Sequence, residues 1–184
     1  MGSIRIISGA LRGRVVRTPA GVRTRPLLTR LRKSLADILR PRLAGARVLD
    51  MFGGSGAIGF ELLSNGAAGL TVIELDQATS HLIAQNAVDL GVGEAVTVLH
   101  GDGLAVARNI AAAGAVFDIV IVAPPYGQGL QQRALDTVMS ICLAAPGALV
   151  VSQRDAREPV AVAPEPVCLT ETRVYGRTAF DFYQ

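Results

Sequence analysis

Three short stretches of the chain carry side chains with specific chemistry. The first is Asp50-Met51-Phe52-Gly53-Gly54-Ser55-Gly56-Ala57-Ile58-Gly59, in which Gly54, Gly56 and Gly59 satisfy a G-x-G-x-x-G spacing. Glycines in that pattern let the backbone approach a ligand, and the helix start that follows favours negative charge. Glu74 lies twenty residues past Gly54, where a carboxylate can accept both hydroxyl protons of a ribose. The second stretch is Gly101-Asp102-Gly103, where Asp102 can accept from an adenine amino group or cap the next helix. The third is Ala123-Pro124-Pro125-Tyr126. Paired prolines hold the backbone extended and remove N–H donors, so the Pro124 carbonyl can aim at an amino group. Tyr126 offers a face on which a base can stack.

Two cofactor classes share this pattern, nicotinamide dinucleotides and S-adenosylmethionine. Three features favour the methyl donor. Asp50 stands just before the glycine loop, within reach of a cationic amine. Asp102 and Gly103 follow a third strand, on the adenine side. The chain has 184 residues, which leaves no room for the substrate domain of a dehydrogenase. The expected cofactor residues are therefore Asp50, Phe52, Gly53, Gly54, Ser55, Gly56, Glu74, Asp102 and Gly103. The reacting end of the site is expected at Ala123, Pro124 and Tyr126. No metal is expected, because the carboxylates are scattered and His81 and His100 stand alone. Cys142 and Cys168 belong to no CxxC motif and read as buried thiols.

These groups need a scaffold, and the hydrophobic periodicity supplies one. Ile4–Ile7 and Arg14–Arg17 read as a hairpin. Leu28, Leu31, Leu35, Ile38 and Leu39 share one helical face, and Pro41 and Gly45 end that helix. From Arg47 strand and helix alternate. Strands are expected at Val48–Asp50, Leu70–Glu74, Val96–Leu99, Phe117–Val122 and Ala148–Ser152. Helices fall at Gly56–Asn65, Gln77–Leu90, Leu104–Ala113 and 130–143. Val167–Tyr175 and Thr178–Tyr183 close the chain as a hairpin around Gly176. Alternating β and α predicts an α/β fold with a parallel, doubly wound sheet.

Charge divides the chain unevenly. Residues 1–47 hold eleven arginines and Lys33 against one acid, Asp37, whereas the rest holds six arginines and fourteen acids. A basic arm on an acidic body is the footprint of a protein that grips a polyanion at one end, and arginine suits phosphates and bases. Residues 1–45 are thus expected to be a nucleic-acid-binding extension and 46–184 the catalytic domain, with Arg12, Arg14, Arg23, Arg25 and Arg30 as RNA contacts. The N-terminus lacks a signal peptide and no stretch is apolar enough to span a membrane, so a soluble, cytoplasmic protein is expected.

One family resembles the chain over its whole length. Arg5-Ile6-Ile7-Ser8-Gly9, Arg12-Gly13-Arg14, Thr24-Arg25-Pro26, Arg30-Leu31-Arg32, the loop from Asp50 to Gly56, Glu74-Leu75-Asp76, Pro124-Pro125-Tyr126 and Tyr175-Gly176-Arg177-Thr178-Ala179 are similar to the RsmD family. Those are methyltransferases of the guanine-N2 amino group in small-subunit ribosomal RNA. The resemblance implies a class I methyltransferase sheet of seven strands with an antiparallel last hairpin. It also implies S-adenosylmethionine as cofactor, ribosomal RNA or the assembled small subunit as partner, and a monomer in the bacterial cytoplasm. The departures concern chemistry. Ala123 stands where the family has Asp or Asn, Leu27, Leu28 and Thr29 replace small hydroxyl residues and an Asp, and Lys33 replaces an acid. An alternative stays open, in which the chain binds RNA and cofactor with weakened catalysis because Ala123 accepts no hydrogen bond.

Overall fold

The computed structural model describes residues 2–19 and 26–184. An antiparallel pair, β1 (Gly2–Arg5) and β2 (Val15–Thr18), precedes α1 (Pro26–Leu43). Then follow β3 (Arg47–Asp50), α2 (Ala57–Ser64), β4 (Gly69–Glu74), α3 (Gln77–Leu90), β5 (Val96–His100), α4 (Gly103–Ala112), β6 (Phe117–Val122) and α5 (Leu130–Ser140). The chain ends with β7 (Ala144–Asp155), β8 (Leu169–Tyr175) and β9 (Thr178–Tyr183). The seven strands from β3 onward form one sheet in the order β5-β4-β3-β6-β7-β9-β8. All pairs are parallel except β9, which runs antiparallel to both its neighbours. Chain order reverses between β3 and β6, so a crevice opens beyond the carboxyl ends of those two strands.

Apolar residues cover both faces of the sheet. Along β6, Ile119 and Ile121 point to one side and Val120 and Val122 to the other, and all four are fully buried. The first side packs on Leu35 and Leu39 of α1, Phe60 of α2 and Ile83 of α3. The second packs on Leu104 of α4 and Leu135 and Val138 of α5. This two-sided burial is what a parallel sheet requires.

The N-terminal arm joins the first of these clusters. Ile6 and Val16 sit in the same core as α1 and the sheet. Polar contacts tie the arm to the two helices beneath it. The Ile7 and Ser8 amides donate to the Glu61 carboxylate at 3.0 and 2.9 Å. The Leu11 amide donates to Ser64 Oγ at 2.9 Å, and that hydroxyl donates to the Ser8 carbonyl at 2.6 Å. On α3, Asn86 accepts from the Arg17 amide and donates to its carbonyl. Gly9 makes the approach to α2 possible. It has φ +78, and a Cβ there would lie 1.8 Å from the Ser64 carbonyl oxygen.

Several sequence expectations need correction. Helix α1 runs through Pro41 to Leu43 and ends, as expected, before Gly45, which takes φ 76. A proline so near the end costs one main-chain hydrogen bond, and burial of Leu39 and Leu43 on the same face offsets that loss. Helix α5 ends at Ser140 rather than 143, because Cys142 adopts φ 53 and turns the chain into β7. Strand β7 is longer than expected because it has ladder partners on both sides, β6 and β9. Cys142 and Cys168 are exposed, not buried. One lies in that turn and the other just before the edge strand β8, whose side chains face solvent as far as Val174. Among the described residues no helix is long and apolar enough to cross a membrane.

Candidate active site

A cleft of about 890 Å³ lies where the strand order reverses. Its size suits a cofactor-sized molecule. Phe52, Gly54, Glu74, Asp102, Gly103, Ala123, Pro124 and Tyr126 line it, so the fold brings together eight of the expected residues. Asp50, Gly53, Ser55 and Gly56 do not line its wall. Gly56 is the N-cap of α2 at φ 73, a conformation that a side chain disfavours.

Asp50 ends β3 beneath the loop and is 1% exposed. One oxygen accepts from the Phe52 amide at 3.3 Å. Burial, more than any other cause, pushes this carboxyl up to about 7, and the charge of Glu74 adds to the shift. A cationic amine next to it would restore ionisation. The native carboxyl holds its proton to higher pH than the unfolded chain does, so the contribution of Asp50 to stability without ligand is full below the ordinary carboxylate range and is lost as pH rises through about 7. Affinity for an amine-bearing adenosyl compound should rise over the same interval. Calorimetric titration of S-adenosylhomocysteine at a series of pH values checks this, and Asp50→Asn should abolish both dependences.

Glu74 is at the end of β4. Its Oε2 accepts from the Gly54 amide at 2.6 Å and its Oε1 from the Asp76 amide at 2.9 Å. The carboxylate therefore braces the glycine loop against the turn into α3, and the residue lines the cleft. Asp102 does cap α4, since its Oδ1 accepts from Leu104 and Ala105 at 3.1 and 2.9 Å. Its Oδ2 has no hydrogen-bond partner among the described residues, so the cap leaves an acceptor over. His81 and His100 are exposed, and the His100 ring bonds the Leu75 carbonyl.

On the far side of the cleft, Pro124 is buried and Tyr126 is 40% exposed. The phenol is held by Gln153, whose Nε2 donates to Tyr126 Oη at 2.8 Å, with Thr178 Oγ1 at 3.4 Å. The loop after Tyr126 is anchored by Glu158, which accepts from the Gly127 amide, Gln131 Nε2 and the Asp155 amide. Gln128 and Gln153 line the cleft and were not anticipated. A usable signal existed for Gln153, a polar residue directly after the buried run Leu149–Ser152 at the carboxyl end of a strand.

The basic side chains fall into two groups. Arg17 pairs with Asp89, Lys33 and Arg40 with Asp37, Arg47 with Asp118, and Arg32 with Glu61. Arg12 and Arg30 are exposed and have no side-chain partner among the described residues. Arg14 donates to the Asp89 carbonyl at 2.6 Å and keeps its charge unneutralised by that contact. Arg23 and Arg25 lie outside the described residues.

The chain is similar to known proteins along its full length. The family described as conserved hypothetical protein 95 matches residues 4–184. A ribosomal RNA small subunit methyltransferase D of Escherichia coli K12 is 34% identical over 183 residues, which cover 100% of this chain and 90% of that one. The protein of the same name from Haemophilus influenzae is 28% identical over 187 residues, covering 100% and 94%. A solved structure of a hypothetical protein from Thermus thermophilus superposes with a TM-score of 0.81 at 32% identity, over 97% and 98% of the two chains. An RNA methyltransferase of Salinibacter ruber in complex with S-adenosyl-L-homocysteine shares the fold, with a TM-score of 0.60 at 19% identity over 88% and 92%.

Proposed function

Because the chain belongs to the conserved hypothetical protein 95 family, that of the ribosomal RNA small subunit methyltransferases D, we propose that it methylates the N2 amino group of a guanine in small-subunit ribosomal RNA. The observation that carries this reading is the cleft itself, with cofactor-type acceptors on one wall and Pro124 and Tyr126 on the other.

The residues fit S-adenosylmethionine. The buried Asp50 carboxylate would balance its amine, Glu74 would accept from its ribose hydroxyls, and the spare Asp102 Oδ2 would accept from its adenine amino group. Bound there, it supplies a methyl group on a positively charged sulfur. The chain's own task is to prepare the nucleophile. An exocyclic amine on an aromatic ring is a poor one, because its lone pair is delocalised. Acceptors on its N–H groups orient the nitrogen and raise its electron density. The Pro124 carbonyl provides one such acceptor. Tyr126 stacks the base once it has left the RNA helix. Arginines of the arm hold phosphates and set the register.

Incubation of undermethylated small subunits with the protein and cofactor, followed by nucleoside mass spectrometry, tests the reading. N2-methylguanosine is expected; another methylated nucleoside would overturn it. RNA affinity should also fall steeply with salt. Neutralising Arg12, Arg14, Arg23 and Arg25 together should flatten the logarithmic slope by roughly 0.7–0.9 per lost phosphate contact, with cofactor affinity unchanged. An unaltered slope would take these arginines out of the RNA interface.

A further inference from the structure

Two N–H hydrogens on a reacting amine call for two acceptors, and the Pro124 carbonyl accounts for one. Ala123 has no polar side-chain atom to supply the other. The carboxylates lining the cleft are Glu74, Asp76 and Asp102, and all of them end or follow β4 or β5, on the cofactor side. Near Tyr126 the remaining side-chain acceptors in the lining are Gln128 and Gln153. Gln128 is exposed, in the loop before α5, and none of the described residues bonds its side chain. Gln153 is different on each count. It lies within β7 and is half-buried. Val122 of β6 pairs with Ser152 of β7 in parallel register, so Gln153 follows one step beyond, beside Ala123. Neighbouring residues in parallel register project to the same face of a sheet, so the two side chains share a side of the cleft.

The orientation of the amide is set by a hydrogen bond. Gln153 Nε2 donates to Tyr126 Oη at 2.8 Å. Oε1 is then left without a partner among the described residues, on a residue that lines the same cleft as Pro124 and Tyr126.

We propose that Gln153 Oε1 is the side-chain acceptor for the substrate amine, taking on from the adjacent strand the role that Ala123 cannot fill. The assignment rests on the reading of the site as a guanine-N2 methyltransferase. Gln153 and the Pro124 carbonyl would each hold one N–H, which leaves the lone pair of the nitrogen free to attack. A neutral carboxamide orients the proton without taking it, and the proton displaced on methylation passes to water. The bond to Tyr126 locks the acceptor and the stacking face into one unit, a pre-organised geometry built on a strand rather than a loop.

Single-turnover methyl transfer to undermethylated small subunits, at saturating cofactor, tests this. Gln153→Met keeps the side-chain volume and removes the acceptor, and it should slow transfer about 10²–10³-fold while cofactor affinity stays unchanged. Gln153→Leu serves as a second apolar variant should the first fold poorly. Gln153→Glu retains an acceptor and should recover most of the rate. Ala123→Asp placed in the Gln153→Met background should restore transfer, since it rebuilds an acceptor on the neighbouring strand. Tyr126→Phe removes the tether yet keeps the ring, and its loss should be clearly smaller than that of Gln153→Met. Equal losses in those two variants would mean that Gln153 acts only by holding Tyr126, and would overturn the assignment. So would full-speed transfer by Gln153→Met. A wild-type protein that leaves guanine N2 unmethylated would overturn the functional reading and this assignment together.

Discussion

Glu61→Ala should destabilise the protein by about 3–5 kcal/mol and release the arm from α2, because it removes one partner of a buried ion pair. Glu61 is 1% exposed in the middle of α2. It accepts from the amides of Ile7 and Ser8 and from the Ser8 hydroxyl at 2.9 Å, and its Oε2 is 3.8 Å from Arg32 Nη1. Arg32 is itself 9% exposed, and burial lowers its pKa against the opposing pull of Glu61. Truncation would strand three donors and leave a buried guanidinium without its counter-charge. Glu61→Gln should cost less, since it keeps one acceptor but turns an NH₂ toward groups that are also donors. Urea unfolding gives the stability change, and hydrogen exchange at Ile7, Ser8 and Leu11 shows whether the arm is released. RNA affinity should fall more than cofactor affinity, because the arm carries Arg12 and Arg14. Gly9→Ala approaches the same state by a steric route, through the clash with Ser64. Protected arm amides in Glu61→Ala, with a stability loss below about 1 kcal/mol, would show that the clasp is dispensable.

Glu74→Ala should weaken binding of S-adenosylhomocysteine by about 2–4 kcal/mol, as expected for two charge-assisted hydrogen bonds. The expected loss has a second source in the fold. The same carboxylate holds the amides of Gly54 and Asp76, so its removal also frees the glycine loop. For that reason Glu74→Gln should not be benign. Whichever way its amide is turned, the NH₂ faces a backbone N–H that needs an acceptor. Calorimetry separates the two contributions: loss of ribose contacts alone lowers affinity for adenosyl ligands, whereas a freed loop also adds an entropic cost to binding. Unchanged affinity in Glu74→Ala would remove this residue from the site.

Much of the fold was legible in the sequence because the signals are local. Helix α3 runs over the expected Gln77–Leu90, and the structure caps it with Asp76, which accepts from the Thr79 amide, at one end and Gly91 at φ 76 at the other. Strand β6 follows its apolar run from Phe117 to Val122. Departures came where a long-range contact outweighed a local preference. Pro41 stays within α1 because the buried face of that helix continues past it to Leu43. The arginine-rich segment 1–45 looked uniform in composition, yet acids from distant parts of the chain, Asp89 and Glu61, pair with two of its members, Arg17 and Arg32.

The site divides in the same way. Residue order alone determined the alternation of strand and helix, the glycine loop with Glu74 at its set distance, and the Pro-Pro-Tyr segment, because caps, periodicity and turns act over a few residues. Only the tertiary structure decided that Gln153 stands beside Ala123, that Asp50 is buried deeply enough for its carboxyl to rise to about 7, and that Glu61 faces the amides of Ile7 and Ser8. Each of these depends on which strand lies next to which and on how much water the packed elements exclude. Those quantities are set jointly by residues far apart in the chain, and no short window of sequence contains them.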